Sequence, residues 1–277
     1  MKPARFDYAC PGTLGGALAL LAEQGPEASI LAGGQSLMPM LNLRMARPAL
    51  LVDINRIPGL DAITLLDGVL TIGARARHAD VLTSPLVQQA APLLIQALHH
   101  VAHPAIRNRG TLGGSLALAD PAAEMPACVT CLGATLVLAS ASGERRVPAA
   151  SFFLGVYATA LEHGEMILRV EIPAIRPGWI HAFLEVSRRH GDYAMAGLAL
   201  AIRRDGAHVA EASIALCGVE SATRRQTEAE AALVARGVDA ACDRFAHLDA
   251  MGGAEITAAH RIHLARVLLR RAVGAQD

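Results

Sequence analysis

Apolar positions recur at helical spacing early in the chain, where Leu14, Ala17, Leu18 and Leu21 share one face. Thr13 stands where an N-cap belongs and Gly25 where a helix can stop. The next apolar run, Ser29-Ile30-Leu31-Ala32, has the length of a buried strand and leads straight into Gly33-Gly34-Gln35-Ser36, and a second strand is expected from Ala49 to Ile54. Further on, Val69 to Ile72 and Thr135 to Leu138 read as strands, Leu93 to Val101 as a helix, and a further helix is expected to be seeded by Pro121. In Leu168-Arg169-Val170-Glu171-Ile172 apolar and charged residues alternate, the pattern of a strand with one wet face. Pro173 and Pro177 then mark a boundary. Beyond it, strands over Trp179 to Val186, Leu198 to Ile202 and Ala212 to Leu216 precede helices around Glu228 to Ala235 and Ala258 to Ala272. Strands followed by a run of helices predict an α+β arrangement. The segments expected are 1–55, 56–175 and 176–277.

Composition narrows the function classes. Of 277 residues, 53% are hydrophobic and 18% charged, ample for packed cores and unlike a disordered chain. Twenty-five basic residues balance 25 acidic ones, so no net field is available to hold a nucleic-acid backbone or an anionic membrane. Neither a secretory signal nor a membrane span is expected: no apolar run follows Lys2 and Arg5, and the stretch from Cys128 to Ser142 is short and interrupted. A cytoplasmic location is the default expectation. The five cysteines are scattered, and Cys128 and Cys131 read as buried helix thiols rather than a metal or redox pair. Nothing in the chain has the cysteine clustering of an iron–sulfur site.

The informative feature is a pair of related turns, Ala32-Gly33-Gly34-Gln35-Ser36-Leu37 and Thr111-Leu112-Gly113-Gly114-Ser115-Leu116. Adjacent glycines admit backbone conformations closed to other residues and let a ligand approach the main chain. Successive N–H groups then form an anion nest, to which the serine hydroxyl adds a donor. Two such turns facing each other are expected to grip a pyrophosphate without a basic side chain; as a bare alternative, glycine pairs also serve as tight turns. Neither matches the dinucleotide fingerprint or the Walker sequence.

With their flanking residues these turns resemble a known family. The run Ala32 to Arg44 looks like the first flavin loop of the medium subunit of carbon monoxide dehydrogenase and related molybdenum hydroxylases. Asn108-Arg109-Gly110-Thr111-Leu112-Gly113-Gly114-Ser115-Leu116-Ala117, with Asp120-Pro121-Ala122-Ala123-Glu124 after it, looks like the second. Arg189-His190-Gly191-Asp192-Tyr193-Ala194 is similar to the family's Arg-x-Gly-Asp-aromatic motif. The resemblance implies an FAD-binding fold of the PCMH or vanillyl-alcohol-oxidase type, two α+β subdomains with FAD between them, followed by a C-terminal flavoprotein domain. It implies cofactor contacts from Leu31, Ala32, Gly33, Gly34, Gln35, Ser36, Leu37, Thr111, Gly113, Gly114 and Ser115 around the pyrophosphate. Val101, Ala102 and Ile167 are implied to line the cofactor, Asp120 and Glu124 to hold ribityl or ribose hydroxyls, and Tyr193 to cover one face of the isoalloxazine. Relatives often carry Asp where Glu124 stands and Lys near Glu185.

The resemblance further implies partners: a large subunit with the molybdenum cofactor and a small one with [2Fe–2S] clusters, assembled as a dimer of heterotrimers. In that arrangement electrons reach FAD here and leave to a terminal acceptor, and no residue of this chain is catalytic towards the organic substrate. The alternative is a free-standing FAD-dependent oxidoreductase of the same fold. Three side-chain groups stay open on sequence alone. Arg107 and Arg109 either attract phosphate or pin the loop. Arg44 and Arg47 read as structural or interfacial. Arg261, Arg266, Arg270 and Arg271 mark either a packed amphipathic helix or a docking stripe. His99, His100 and His103 lack a ligand spacing and read as a helix end.

Overall fold

In the computed structural model, which describes residues 2–274, the chain begins with a small parallel sheet. Strand β1 (Asp7–Ala9) is followed by α1 (Leu14–Gln24), β2 (Ala28–Leu31), α2 (Leu37–Asn42) and β3 (Leu50–Asp53), and β3 lies between β1 and β2. Helix α1 starts where the Thr13 hydroxyl accepts from the Gly16 N–H at 3.2 Å and stops at Gly25, whose φ of 53° combined with a ψ of −129° suits glycine alone. Its buried Ala17, Leu18 and Leu21 pack against Leu50 and Val52.

The middle of the chain is a five-stranded antiparallel sheet, ordered β4-β5-β10-β6-β7: β4 (Ile63–Leu66), β5 (Val69–Gly73), β6 (Thr135–Ser140), β7 (Gly143–Pro148) and β10 (Met166–Pro173). A small hairpin, β8 (Phe153–Gly155) with β9 (Ala158–Thr159), precedes β10. Between β5 and β6 run six short helices: α3 (His78–Thr83), α4 (Pro85–Ala90), α5 (Pro92–Leu98), α6 (Pro104–Arg107), α7 (Leu112–Leu118) and α8 (Glu124–Cys131). Proline opens α4, α5 and α6, where its missing N–H costs nothing. Leu93, Leu94, Leu98, Leu112, Leu116 and Val129 from these helices fill one core with Leu136, Leu138, Val170 and Ile172 of the sheet.

Two sequence expectations shift here. The helix expected to reach Val101 ends at Leu98, because Ala102 has a φ of 42° and the Arg107 guanidinium draws in the carbonyls of Val101 and Ala102 at 2.7 and 3.0 Å. The helix expected at Pro121 begins only at Glu124, since Asp120 Oδ1 accepts from the Ala122 N–H at 2.9 Å and turns the chain first.

The last segment is an antiparallel sheet, β11 (Trp179–Val186), β12 (Ala196–Asp205) and β13 (His208–Cys217), covered by α9 (Thr227–Arg236), α10 (Val238–Arg244) and α11 (Ala258–Gly274). Strand β12 shows why its sequence is almost wholly apolar. Leu198, Leu200 and Ile202 face Leu233, Phe245, Leu268 and Leu269 of the helices, while Ala199 and Ala201 belong to the core of the middle segment. Both faces are buried, and alanines on one of them let α8 pack close. Gln96 of α5 adds to this junction: its side chain donates to the His181 carbonyl at 3.1 Å and accepts from the Phe183 N–H at 2.8 Å, pairing with the edge of β11.

Three of the four arginines of the C-terminal stripe are spent internally. Arg261 donates to the carbonyls of Met195 and Gly218, Arg266 to that of Cys242, and Arg270 to Asp239. Arg44 and Arg47 likewise bond main-chain carbonyls, those of Lys2 and Arg44. Cys128 and Cys131 are buried thiols on α8, as expected, and burial pushes the Cys131 thiol up to about 12. No helix among the described residues is long and apolar enough to cross a membrane.

Gln96→Ala strands the Phe183 N–H and the His181 carbonyl. The expected loss is about 1–3 kcal/mol in urea unfolding, with a change below experimental error showing that water replaces the bonds.

Candidate functional site

The two glycine loops meet across the seam between the parallel sheet and the middle segment. Asp53, at the end of β3, accepts from the Tyr8 hydroxyl at 2.6 Å and from both the Asn55 N–H and the Asn55 amide at 2.8 and 2.6 Å. Asn55 then donates to the Ala32 carbonyl at 2.9 Å, fixing the start of the first loop. Its Oδ1 receives the Arg77 guanidinium at 2.6 Å, and the same guanidinium donates to the Arg109 carbonyl at the start of the second. A Cβ on Gly33 would collide with that Arg109 carbonyl, so the loops touch main chain to main chain. This network of Tyr8, Asp53, Asn55 and Arg77 was not anticipated; its only sequence signal is an Asp-x-Asn at a strand end.

The loops are not equivalent. In the first, Gly34 has a φ of 71° and Gln35 folds back onto the Gly33 carbonyl at 3.1 Å. Among the described residues no hydrogen bond uses the N–H groups of Gly33, Gly34, Gln35, Ser36 and Leu37. The second is a helix start rather than an open nest. The Thr111 hydroxyl accepts from Gly114 N–H at 3.1 Å and the Thr111 carbonyl from Ser115 N–H at 3.0 Å. Leu112 and Gly113 donate to the carbonyls of Ala76 and Ala74 at 3.0 and 2.9 Å. Its amides from Leu112 to Ser115 are therefore consumed, and the Thr111 N–H and the hydroxyls of Thr111 and Ser115 remain. Gly113 is glycine for packing: an ideal Cβ there would lie 2.6 Å from the Ala74 carbonyl oxygen.

Between the loops lies a cleft of about 810 Å³. Ala32, Gly33, Gly34, Gln35, Ser36, Leu37, Val101, Ala102, Thr111, Gly113, Gly114, Ser115, Asp120, Glu124, Ile167 and Tyr193 all line it. Leu31 does not; its side chain lies beneath the first loop, 3.3 Å from where a Cβ on Gly34 would stand. Arg107 does not line the cleft either, being turned into the carbonyls of Val101 and Ala102 as a loop pin. Gly191, with a φ of 88°, packs on Ala102 so tightly that a Cβ would sit 2.8 Å from its carbonyl oxygen, which brings Tyr193 to the rim with 72% of its surface exposed.

His78, missed in the sequence, is buried in the wall with Nδ1 unbonded among the described residues. Burial first and the nearby Arg107 second push its imidazole down to about 4, so it is neutral. Asp120 is buried, with the Tyr157 hydroxyl 3.4 Å away. Glu124, also buried, is pushed up to about 8 by burial and then by neighbouring Glu185.

These residues fit an extended anionic dinucleotide: a row of unspent amides, apolar walls such as Ile30, Ile54 and Met166, hydroxyls opposite, and acids at one end. A somewhat larger cleft, about 910 Å³, opens beside Trp179, but its charged side chains are engaged. Arg225 pairs with Glu230 at 2.6 Å and Arg176 stacks on Trp179 at 4.7 Å, and no expected site residue lines it.

Residues 4–175 match the family described as FAD binding domain in molybdopterin dehydrogenase, and residues 181–275 match the CO dehydrogenase flavoprotein C-terminal domain. The chain belongs to the FAD-binding medium subunits of molybdenum hydroxylases. It is 41% identical to the caffeine dehydrogenase subunit beta of Pseudomonas sp. (strain CBB1), over 99% of this chain and 95% of that one. It is 43% identical to the carbon monoxide dehydrogenase medium chain of Hydrogenophaga pseudoflava, over 82% and 79%. Among solved structures, carbon monoxide dehydrogenase from Hydrogenophaga pseudoflava aligns with a TM-score of 0.96 at 40% identity, covering 99% of this chain and 98% of that chain. Quinoline 2-oxidoreductase from Pseudomonas putida 86 aligns with a TM-score of 0.94 at 38% identity, again covering 99% and 98%. The expected fold, a PCMH-type FAD-binding unit followed by a flavoprotein C-terminal domain, therefore holds for this medium subunit.

Two outcomes test the loop geometry. Thr111→Ala is expected to cost about 1 kcal/mol through the lost cap, and Gly113→Ala about 1–3 kcal/mol through overpacking, both read by urea unfolding. The neutral His78 gives stability that is complete above the free imidazole value of 6.5 and is lost as pH falls towards 4. His78→Gln is expected to flatten that part of the stability–pH curve; an unchanged curve places the loss elsewhere.

Proposed function

We propose that this medium subunit seats FAD in the cleft between its glycine loops, receives electrons from a [2Fe–2S] partner subunit and passes them to a terminal acceptor. The observation that carries this is the row of unbonded N–H groups from Gly33 to Leu37, all on residues that line the cleft. Such a row binds a pyrophosphate without a cationic side chain. On this reading Ala32 shapes the row, Leu31 supports it from below, and the Thr111 and Ser115 hydroxyls complete the grip, with Gly113 and Gly114 keeping that wall thin. Asp120 and Glu124 hold sugar or ribityl hydroxyls. Val101, Ala102 and Ile167 exclude water, and Tyr193 lies over the isoalloxazine. The bound flavin supplies the redox chemistry.

The segments 1–55 and 56–175 grip FAD from two sides, and 176–277 supplies Tyr193 at the rim and buttresses α8; Met1 and 275–277 lie outside the described residues. The organic substrate belongs to the large molybdenum subunit, and the assembly is a cytoplasmic dimer of heterotrimers. Relatives named as subunits or medium chains of dehydrogenases support this division of labour.

The purified chain is expected to carry about one FAD, with neither iron nor molybdenum. Gly34→Val is expected to weaken FAD at least about ten-fold, the loss of one or two charge-assisted bonds of roughly 1.5–3 kcal/mol each, because the φ of 71° is strained for a branched residue. Gln35→Ala, which leaves the main-chain donors in place, is expected to be milder. Full flavin content and unchanged affinity in Gly34→Val overturn the pyrophosphate assignment.

A further inference from the structure

At the end of the cleft where Glu124 sits, two glutamates and two cysteines come together. Glu185 of β11, Gly197 of β12 and Cys217 of β13 are register partners in one row across the C-terminal sheet, so their side chains share a face. A Cβ on Gly197 would collide with Cys217 Sγ and lie 3.7 Å from Glu185 Cγ. The absent side chain is thus the space that Glu185 and Cys217 fill. Helix α8 packs across β12 and β13 and carries Glu124 and Cys128. Both Glu185 carboxyl oxygens are buried without a hydrogen-bond partner among the described residues. The nearby Ser187 hydroxyl donates instead to the Arg189 carbonyl at 3.0 Å.

We propose that Glu124 and Glu185 form a proton-exchanging pair that takes up a proton from solvent when the flavin bound in the cleft is reduced. This rests on the FAD reading of the cleft. An ionised carboxylate at Glu185 is desolvated and unpaired, so its proton is retained unusually long. Burial holds Glu185 up at about 7, and burial with Glu185 as neighbour holds Glu124 up at about 8. The other titratable groups facing the pair add no positive charge. Asp120 is a third acid, Cys128 and Cys217 are buried thiols held protonated, and Tyr157 and Tyr193 are phenols pushed upward.

Two electrons and one proton added to a flavin leave one negative charge in the cleft. That charge disfavours the ionised member of the pair, and a second proton, drawn from water, forms an O–H bond on a glutamate oxygen. Glu124, which lines the cleft, is the member in reach of solvent; Glu185, sealed beneath, is not.

The test is anaerobic reduction of the FAD-loaded full chain by a reduced viologen, with an indicator dye counting protons between about pH 6 and 9. Wild type is expected to take up more protons per flavin than Glu124→Gln or Glu185→Gln, with the gap largest around the two values of about 7 and 8. Each extra proton per two electrons makes the reduction equilibrium ten-fold steeper per pH unit, about 30 mV. The midpoint potential should therefore fall more steeply with pH in wild type. Should Glu124→Gln shed flavin, Glu185→Gln decides, because Glu185 does not line the cleft. Equal uptake and equal slopes in flavin-loaded wild type and Glu185→Gln overturn the pair. A wild-type chain that binds no FAD overturns the reading of the cleft itself.

Discussion

Everything at the site hangs on one close approach, that of Gly33 to the Arg109 carbonyl. It brings the main chains of two separately built units into contact, which only a residue without a side chain permits. Such a contact leaves polar groups short of partners, and the Arg77 guanidinium, joined to Asn55 and through it to Asp53 and Tyr8, satisfies them. The same contact sets the separation of the two loops, and hence the width of the cleft between them.

The chain gathers most of its unspent main-chain donors on one side of that cleft. On the second loop Thr111 and the carbonyls of Ala74 and Ala76 consume the amides from Leu112 to Ser115, making this wall rigid. On the first, the left-handed turn that glycine permits at Gly34 leaves the amides without internal partners among the described residues. One wall holds the shape and the other carries the unspent donors. Arg107, a cation beside the cleft, is tied to carbonyls rather than left for a ligand. An anion held this way is bound by fixed dipoles, which need no reorganisation when it arrives.

Behind the cleft, the C-terminal sheet is buttressed from both faces. Its leucines and isoleucines meet helices α9 to α11, and its alanines meet α8, so two cores lie back to back across this sheet and α8, which lines the cleft, rests on one of them. Close packing of this kind transmits small displacements instead of absorbing them. It also explains the buried acids: α8 cannot approach β12 without carrying Glu124 over the row that holds Glu185.

Much of this was legible in the sequence. Thr13 and Gly25 bounded α1, alternation marked β10, and the two glycine-pair runs with a following serine located the cleft, because caps, turns and strand faces depend on neighbours a few residues apart. The loops looked alike on paper and are not. Whether an amide is free depends on Ala74 and Ala76, which are remote in sequence and reach Gly113 and Leu112 only through the fold. The same holds for Arg107, which could have faced either phosphate or carbonyl, for His78, an ordinary histidine until burial made it neutral, and for Leu31, which supports the cleft from below. Local conformation is written in local spacing. Proton affinity, donor availability and the meeting of Glu124 with Glu185 are properties of the packed environment, and only the tertiary structure decides them.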